Sequence, residues 1–130
     1  MWKLVDEPDE VHQHAEFVYN DREDGYLRIR KEALPDGVTV KDFAQQDQEQ
    51  KEHLRPGYID GKGEPFAGRL NGFTMAYEFT QAGKPMAGRT YYLKSDDHTV
   101  YALRFTGARD KLSRIRNQTD QIARTFKLKG

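Results

Sequence analysis

Between Phe73 and Thr106 the large apolar residues fall on every second position. Phe73, Met75, Tyr77 and Phe79 alternate with Thr74, Ala76, Glu78 and Thr80, the period that sends one set of side chains to each face of a sheet. Gln81-Ala82-Gly83-Lys84-Pro85 turns the chain into a second strand, Met86 to Leu93. Ser95-Asp96-Asp97-His98 turns it into a third, Thr99 to Thr106, where Tyr101, Leu103 and Phe105 alternate again. Three strands with short links predict an antiparallel meander. From about Ala108 to Lys127 the period changes. Leu112, Ile115, Thr119, Ile122, Ala123 and Phe126 recur at steps of three and four, which predicts one long amphipathic helix whose stripe needs a sheet face to cover.

The first half is patterned less strongly. Residues 1 to 12 read as an acidic lead-in containing Pro8, with Trp2, Leu4 and Val5 as anchors. β-prone runs at 15–19 and 26–31 flank Asp21-Arg22-Glu23-Asp24-Gly25, which suits a hairpin loop. Leu34-Pro35-Asp36-Gly37 marks a turn. Thr39 with Asp42 starts a helix that runs to about Arg55 and stops at Pro56-Gly57. Its apolar face is thin, with Val40, Phe43, Ala44 and Leu54 spaced by glutamines. Tyr58 to Phe66 predicts a strand that Gly61 and Gly63 mark as bulged or at an edge. The expected order is β-β-α-β-β-β-β-α, an α+β fold with a mainly antiparallel sheet packed with helices.

Composition narrows the class. At 130 residues, with 36% hydrophobic and 32% charged residues, the chain fits one domain spanning 1–130. Lys+Arg and Asp+Glu both number 21, so no global excess attracts nucleic acid, and no nucleic-acid partner is expected. The charge is unevenly placed. Residues 1–24 hold eight acids against two bases, and residues 107–130 hold seven bases against two acids. The absence of cysteine excludes disulfides, thiolate metal sites and a cysteine nucleophile. No apolar run is long enough for a transmembrane segment. The chain as it stands is expected to be soluble and cytoplasmic. A removed leader would place it in the periplasm or at the envelope.

Candidate chemistry is sparse. His12 and His14 could face one side of an extended segment beside Glu10 or Glu16, but without cysteines or an HExxH pattern no metal site is expected, and these two histidines are the residues that would supply one. Asp96-Asp97-His98 reads as turn chemistry, because neighbouring turn residues point apart. Ser95 and Ser113 lack the Gly-x-Ser-x-Gly setting of an exposed nucleophile. Gly61-Lys62-Gly63 and Gly68 do not form a phosphate loop. The aromatic series Phe73, Tyr77, Phe79, Tyr91, Tyr92, Tyr101 and Phe105 could stack bases, yet its period is that of a core. No catalytic residue and no cofactor is expected. Because the first helix offers little apolar area, part of one sheet face is expected to be open, with Arg28, Arg30, Glu78, Arg89 or Arg104 on it. Arg28, Arg30 and Arg104, with Arg114, Arg116 and Arg124 of the basic terminal helix, are the partner-binding candidates.

The chain resembles the PsbP-like and DcrB-like domains, whose fold is shared by the yeast Ran-release factor. The resemblance is carried by Trp2, by Glu16-Phe17-Val18-Tyr19 as a strand and by Val40-Lys41-Asp42-Phe43 opening the helix. It continues in Phe66-Ala67-Gly68-Arg69-Leu70-Asn71-Gly72 between strands, in Tyr91-Tyr92-Leu93, in Val100-Tyr101-Ala102-Leu103, and in the closing Ile122-Ala123-Arg124-Thr125-Phe126. These are packing positions, so the resemblance implies a fold: an antiparallel sheet sandwiched by helices, without a shared catalytic centre. It departs from the family in lacking the strand that usually precedes the tryptophan, which leaves the sheet one strand short or marks a trimmed chain.

Members of that group act as extrinsic subunits of photosynthetic membrane complexes, as envelope lipoproteins and as chaperones that shelter apolar helices of secretion effectors. The resemblance therefore implies a non-catalytic binding or assembly module that engages a protein partner or a membrane complex. The alternatives are a chaperone-like protein for an apolar helix, and a small hydrolase or metal-dependent enzyme built from His12, His14 or His98.

Overall fold

The computed structural model describes residues 2–9, 14–19 and 21–126, with side chains for Phe17 and from residue 25 onward. The chain forms strands β1 (Trp2–Asp9), β2 (His14–Tyr19) and β3 (Asp21–Ala33), then helix α1 (Val40–Lys51). Four strands follow, β4 (Ile59–Phe66), β5 (Gly72–Gln81), β6 (Lys84–Asp96) and β7 (Thr99–Ala108), and two helices close the chain, α2 (Arg109–Arg114) and α3 (Arg116–Thr125). All seven strands join one antiparallel sheet in the order β1-β2-β3-β7-β6-β5-β4. The chain leaves β3, crosses one face as α1, enters the far edge at β4 and meanders back until β7 pairs with β3 from Tyr26↔Thr106 to Ala33↔Thr99.

Strand register sorts the side chains onto the two faces. Phe73, Tyr92 and Ala102 stand in one row, and Met75, Thr90, Arg104 and Arg28 in the next. This face meets α1 through a cluster of Leu34, Ala44, Phe73, Tyr92, Val100 and Ala102, with Val38, Val40 and Phe43 packed against it. The opposite face carries Leu27, Tyr91, Leu93, Tyr101, Leu103 and Phe105, covered by Leu112, Ile115 and Ala123. Each large apolar side chain buried in this way contributes about 1.5–3 kcal/mol. The aromatic series is core, as its period predicts: Tyr91, Tyr92 and Phe105 are fully buried and Tyr77, Phe79, Tyr101 and Phe73 nearly so.

The α+β class, the meander and the sandwich agree with the sequence reading, and four details differ. Residues 2–9 form an edge strand, Trp2↔Tyr19 to Asp9↔His14, where an acidic lead-in was expected; one neighbouring strand suffices to hold a segment that has no apolar alternation of its own. The expected loop at 21–25 lies within β3, although the β2 ladder steps from Tyr19↔Asp21 to Val18↔Tyr26, so residues 22–25 have no partner on β2. The first helix ends at Lys51 rather than near Arg55, and Leu54, expected on its apolar face, is 85% exposed. The terminal helix is broken at Ile115 (φ −100°, ψ 16°), while Leu112, Ile115, Thr119 and Ala123 remain buried, so the apolar stripe runs through the break.

Gly88 shows how tightly the α1 face is packed. It stands opposite Tyr77, and a Cβ on it would lie 2.1 Å from the Tyr77 ring. The ring therefore lies across β6 only because that position has no side chain. Gly88→Ala is expected to destabilise the protein by about 1–3 kcal/mol through overpacking, read by urea unfolding. Adding Tyr77→Ala should make the double variant less unstable than the two single losses combined; strict additivity would place the ring elsewhere.

Candidate functional site

Helix α1 starts conventionally, with Thr39 Oγ1 accepting from the Asp42 N–H at 3.1 Å. Its sheet-facing side is unusual. Beside Ala44 it buries Asp47 and Gln48, and the residue that follows its last turn, Glu52, is 2% exposed. The reason is Arg104, which projects from the central strand β7 and is 8% exposed. Its Nη2 donates to Asp47 Oδ2 at 2.8 Å and its Nε lies 3.2 Å from Glu52 Oε1. Tyr92 donates to the same Asp47 oxygen at 2.8 Å, while Lys51 Nζ stands 2.9 Å from Asp47 Oδ1 and 3.1 Å from Glu32. Arg55 closes on Glu52 from outside and lies over the Phe79 ring, 4.5 Å from its centroid.

Burial alone would lower the affinity of Arg104 for its proton, but the Tyr92, Glu52 and Asp47 side chains outweigh it and raise the pKa, so the guanidinium stays charged. Tyr92 is pushed up by burial and then by Asp47, and Tyr77 by burial and then by Glu52. An Asp47 carboxylate already holding three donors is not free to act as a base. The cluster holds the helix to the sheet and offers no nucleophile.

Beside this cluster, α1 and the β4–β5 margin enclose a cleft of about 730 Å³. Gln48 Nε2 donates to Tyr58 Oη at 2.8 Å, and Tyr58 donates to Asp60 Oδ1 at 2.6 Å. Burial and the Asp60 carboxylate push the Tyr58 phenol up to about 12. Tyr58 stacks on Tyr77, and His53 tilts against it with ring centroids 5.2 Å apart. The ladder slips between Asp60 and Gly63, the bulge expected from the glycines.

On the opposite face a groove of about 450 Å³ runs between the β4–β5 margin and α2. Ala76, Ala87 and Leu112 line it, Ile59 stands 57% exposed at its side, and Arg89, Arg109 and Arg116 supply positive charge. Arg109 lies 3.3 Å from Glu78, and Arg116 lies 3.9 Å from Glu64 and 4.0 Å from Asp120. Beneath α3, Tyr91 hydrogen-bonds Thr119 at 3.0 Å and donates to Asp120; burial and then Asp120 push its pKa up.

The sequence-derived candidates separate. Arg104 is not on an open face, because the α1 carboxylates cover it. Arg28 is half-buried beside Arg104 in the same row, and Arg30, in the adjacent row, is exposed. Glu78 and Arg89 lie on the other face, since each is an odd number of residues from Met75 and Thr90 on its own strand. Arg114, Arg116 and Arg124 are exposed on the terminal helices. His12, like Glu10, lies outside the described residues, and His14 lies in β2 with its side chain outside them. His98 is exposed in the β6–β7 turn, 3.3 Å from Asp36, where its N–H donates to Asp96 Oδ1 at 2.8 Å and holds that carboxyl below its usual range. Among the described residues no group of three His, Asp or Glu side chains could hold a metal ion. Asp47, Gln48 and Glu52 escaped the sequence reading, although their spacing with Ala44 follows one helix face.

No family model matches the chain and no curated protein matches it. Solved structures do. A protein of unknown function from Pseudomonas aeruginosa, described as a candidate regulator, superposes with a TM-score of 0.67 at 13% identity, covering 100% of this chain and 84% of that one. The cyanobacterial PsbP of Synechocystis superposes at 0.64 and 12% identity, over 98% of this chain and 82% of that one. The chain has a PsbP-like fold. LpqN, involved in cell envelope biogenesis in Mycobacterium tuberculosis, is similar to it with a TM-score of 0.62 and 15% identity, over 92% of this chain and 73% of that one. At these identities the likeness concerns the PsbP-like fold alone.

Two outcomes follow from the buried charges and phenols. Asp47→Ala should destabilise by about 3–5 kcal/mol, because it leaves Arg104 with part of its compensation removed, whereas Asp110→Ala on the exposed face of α2 should change stability by under about 0.5 kcal/mol; equal effects would contradict the network. Tyr58, Tyr77, Tyr91, Tyr92 and Tyr101 all have raised pKa values in the folded chain. An unfolded tyrosine ionises near 10, so above that pH the unfolded chain loses phenolic protons that the folded one keeps. The stability these phenols contribute should be fully present below about pH 10 and be lost as pH rises beyond it. Phenolate absorbance should rise late and together with unfolding; early ionisation of all these tyrosines would contradict their burial.

Proposed function

We propose that residues 1–130 act as one PsbP-like, non-catalytic binding or assembly module that engages a protein partner, in or near a membrane complex, through the face formed by α2, α3 and the β4–β5 margin. The observation that carries this reading is the groove on that face, where an apolar floor ending in exposed Ile59 is bordered by Arg89, Arg109 and Arg116. An apolar strip with an arginine border is the composition of a protein interface. Arg114 and Arg124 extend the positive charge along the same helical layer.

Further support comes from the other face, where the acids and the arginine that might have served chemistry are bonded to one another. The named neighbours point the same way: one is described as a candidate regulator, one is involved in envelope biogenesis and one is a PsbP. No helix among the described residues is long and apolar enough to cross a membrane, so in this reading contact with a membrane complex is made through protein. A chaperone for apolar helices would need an open apolar sheet face, and among the described residues the main apolar cluster on each face is packed under a helix. An enzyme built on His98 would have to work from an exposed turn.

The test is affinity capture from the source cell with the unmodified chain, with Arg114→Glu/Arg116→Glu/Arg124→Glu combined, and with Ile59→Asp. Because exposed ion pairs contribute only about 0–1 kcal/mol each, the variants should fold. Recovery of a specific partner is expected to fall at least about tenfold in both, an interface loss of roughly 1.4 kcal/mol or more. Unchanged recovery in both would overturn this assignment of the face.

A further inference from the structure

Helix α1 ends at Lys51. It covers the rows of Tyr92 and Arg104 and leaves the next rows of the same sheet face, Tyr77–Gly88–Thr106–Tyr26 and Phe79–Met86, to the short segment that follows it. That segment is tied to β5, since the Thr80 N–H donates to Pro56 O at 2.8 Å and a Cβ on Gly57 would lie 2.8 Å from Thr80 Oγ1. Here the sheet face opens into a cavity of about 310 Å³ with Arg55, Phe79, Met86, Tyr26 and Thr106 in its wall. A second lobe of about 300 Å³ shares Arg55, Phe79, Gln81 and Ala82 with it. Neither lobe has a lining residue in common with the arginine-lined groove or with the cleft beside α1.

We propose that this cavity binds a small organic carboxylate with an apolar body. Arg55 stands where the two lobes meet, and it is held before any ligand arrives. Its Nε is taken by the buried Glu52, whose other oxygen meets Arg104, and its guanidinium lies 4.5 Å from the centroid of the Phe79 ring. Its Nη1 and Nη2 make no hydrogen bond or ion pair among the described residues. Two parallel N–H donors at the end of a fixed planar group match the two oxygens of a carboxylate. The charge of the wall agrees: among the described residues that line both lobes, the charged ones are Arg55 and Lys84, which disfavours a cationic ligand. Glu52 already answers part of the Arg55 charge, and the floor beneath it is Phe79 and Met86, so a single negative charge on a carbon skeleton suits the site better than a compact dianion such as phosphate. The flexible Met86 thioether lets that floor adapt to the body of the ligand. A volume of about 310 Å³ is at the lower end of the range for small-molecule sites, about 300–1,000 Å³.

The experiment is titration of the full chain with hexanoate, followed by calorimetry and by NMR of the methionine methyl groups, with hexan-1-ol, hexylamine and inorganic phosphate as comparison probes. Saturable hexanoate binding is expected, tighter than that of any comparison probe and weaker as salt is raised. The Met86 methyl signal should shift, while that of Met75, in the wall of the cleft beside α1, stays in place. Arg55→Lys keeps the charge and loses the planar fork, and should weaken binding at least about tenfold. Gln81→Glu, at an exposed position where the fold is not at risk, puts a competing carboxylate in the wall and should weaken binding several-fold even if Arg55→Lys proves unstable. Absence of saturable hexanoate binding, equal binding of hexan-1-ol, preference for phosphate or hexylamine, a Met86 methyl signal that does not move, or an affinity insensitive to Gln81→Glu would overturn the proposal. Because this cavity and the arginine-lined groove share no lining residue, the capture experiment and this titration fail independently.

Discussion

A guanidinium on the central strand of a seven-stranded sheet constrains much of what surrounds it. Arg104 is nearly buried, and a buried charge left alone would cost several kcal/mol. Its compensation has to come from the element that covers it, so α1 presents Asp47 and Glu52 where an ordinary amphipathic helix would present leucines. A buried ion pair of this kind is modest evidence for stability, because a well-packed apolar replacement can be equally stable. What it restricts is geometry. An apolar helix can slide on an apolar sheet, whereas α1 must place two carboxylates within about 3 Å of one guanidinium, with Tyr92 donating to the first of them.

That restriction carries forward along the chain. With the register of α1 fixed, Gln48 is fixed beside Tyr58, and Tyr58 holds Asp60 at the start of β4. The bulge in the edge strand is thus tied to the arginine at the centre of the sheet through α1, where Asp47 holds Arg104 and the next residue, Gln48, donates to Tyr58. The opposite face is built on a different principle. Its leucines and aromatics meet Leu112, Ile115 and Ala123 without a comparable ionic lock, and its charged pairs stand at the margin, where solvent weakens them. One face fixes direction by charge and the other closes the core by area.

This division explains what could be read from the sequence. The strands β5 to β7 and the terminal helical stripe were legible because large apolar side chains reported their own periods. The meander, the α+β class and the resemblance to PsbP-like domains followed from the same positions. The first strand was not legible, since residues 2–9 are acidic and belong to the sheet through backbone pairing with β2. The thin apolar face of α1 was noticed and read as a sign of uncovered sheet; at Arg104 the sheet is covered, while Arg30 stands exposed on the same face. A helix with few apolar residues can still be well covered if its polar residues answer a charge in the sheet, and Arg104 was the clue: within a run of buried residues on β7, it needed carboxylates nearby. The partnership between Asp47 and Arg104 is invisible to periodicity because it joins residues far apart in the chain. The bulge at Asp60–Gly63 was foreseen, but the Gln48–Tyr58–Asp60 series depends on three-dimensional placement alone.

The β4 margin borders the cleft on one face and the arginine-lined groove on the other, and its chemistry limits how anything can bind there. As the outer strand it presents unpaired backbone, the usual invitation to strand addition. Three features oppose that mode: Pro65 has no N–H to donate, Lys62 places a charge on the exposed edge, and the slip between Asp60 and Gly63 breaks the regular spacing that an added strand would have to match. In the reading proposed above, recognition at this margin therefore uses side chains beside the strand, those of the arginine-lined groove, rather than its backbone. Side chains along this edge can change without disturbing the fold, because the packing positions that define it lie in the interior.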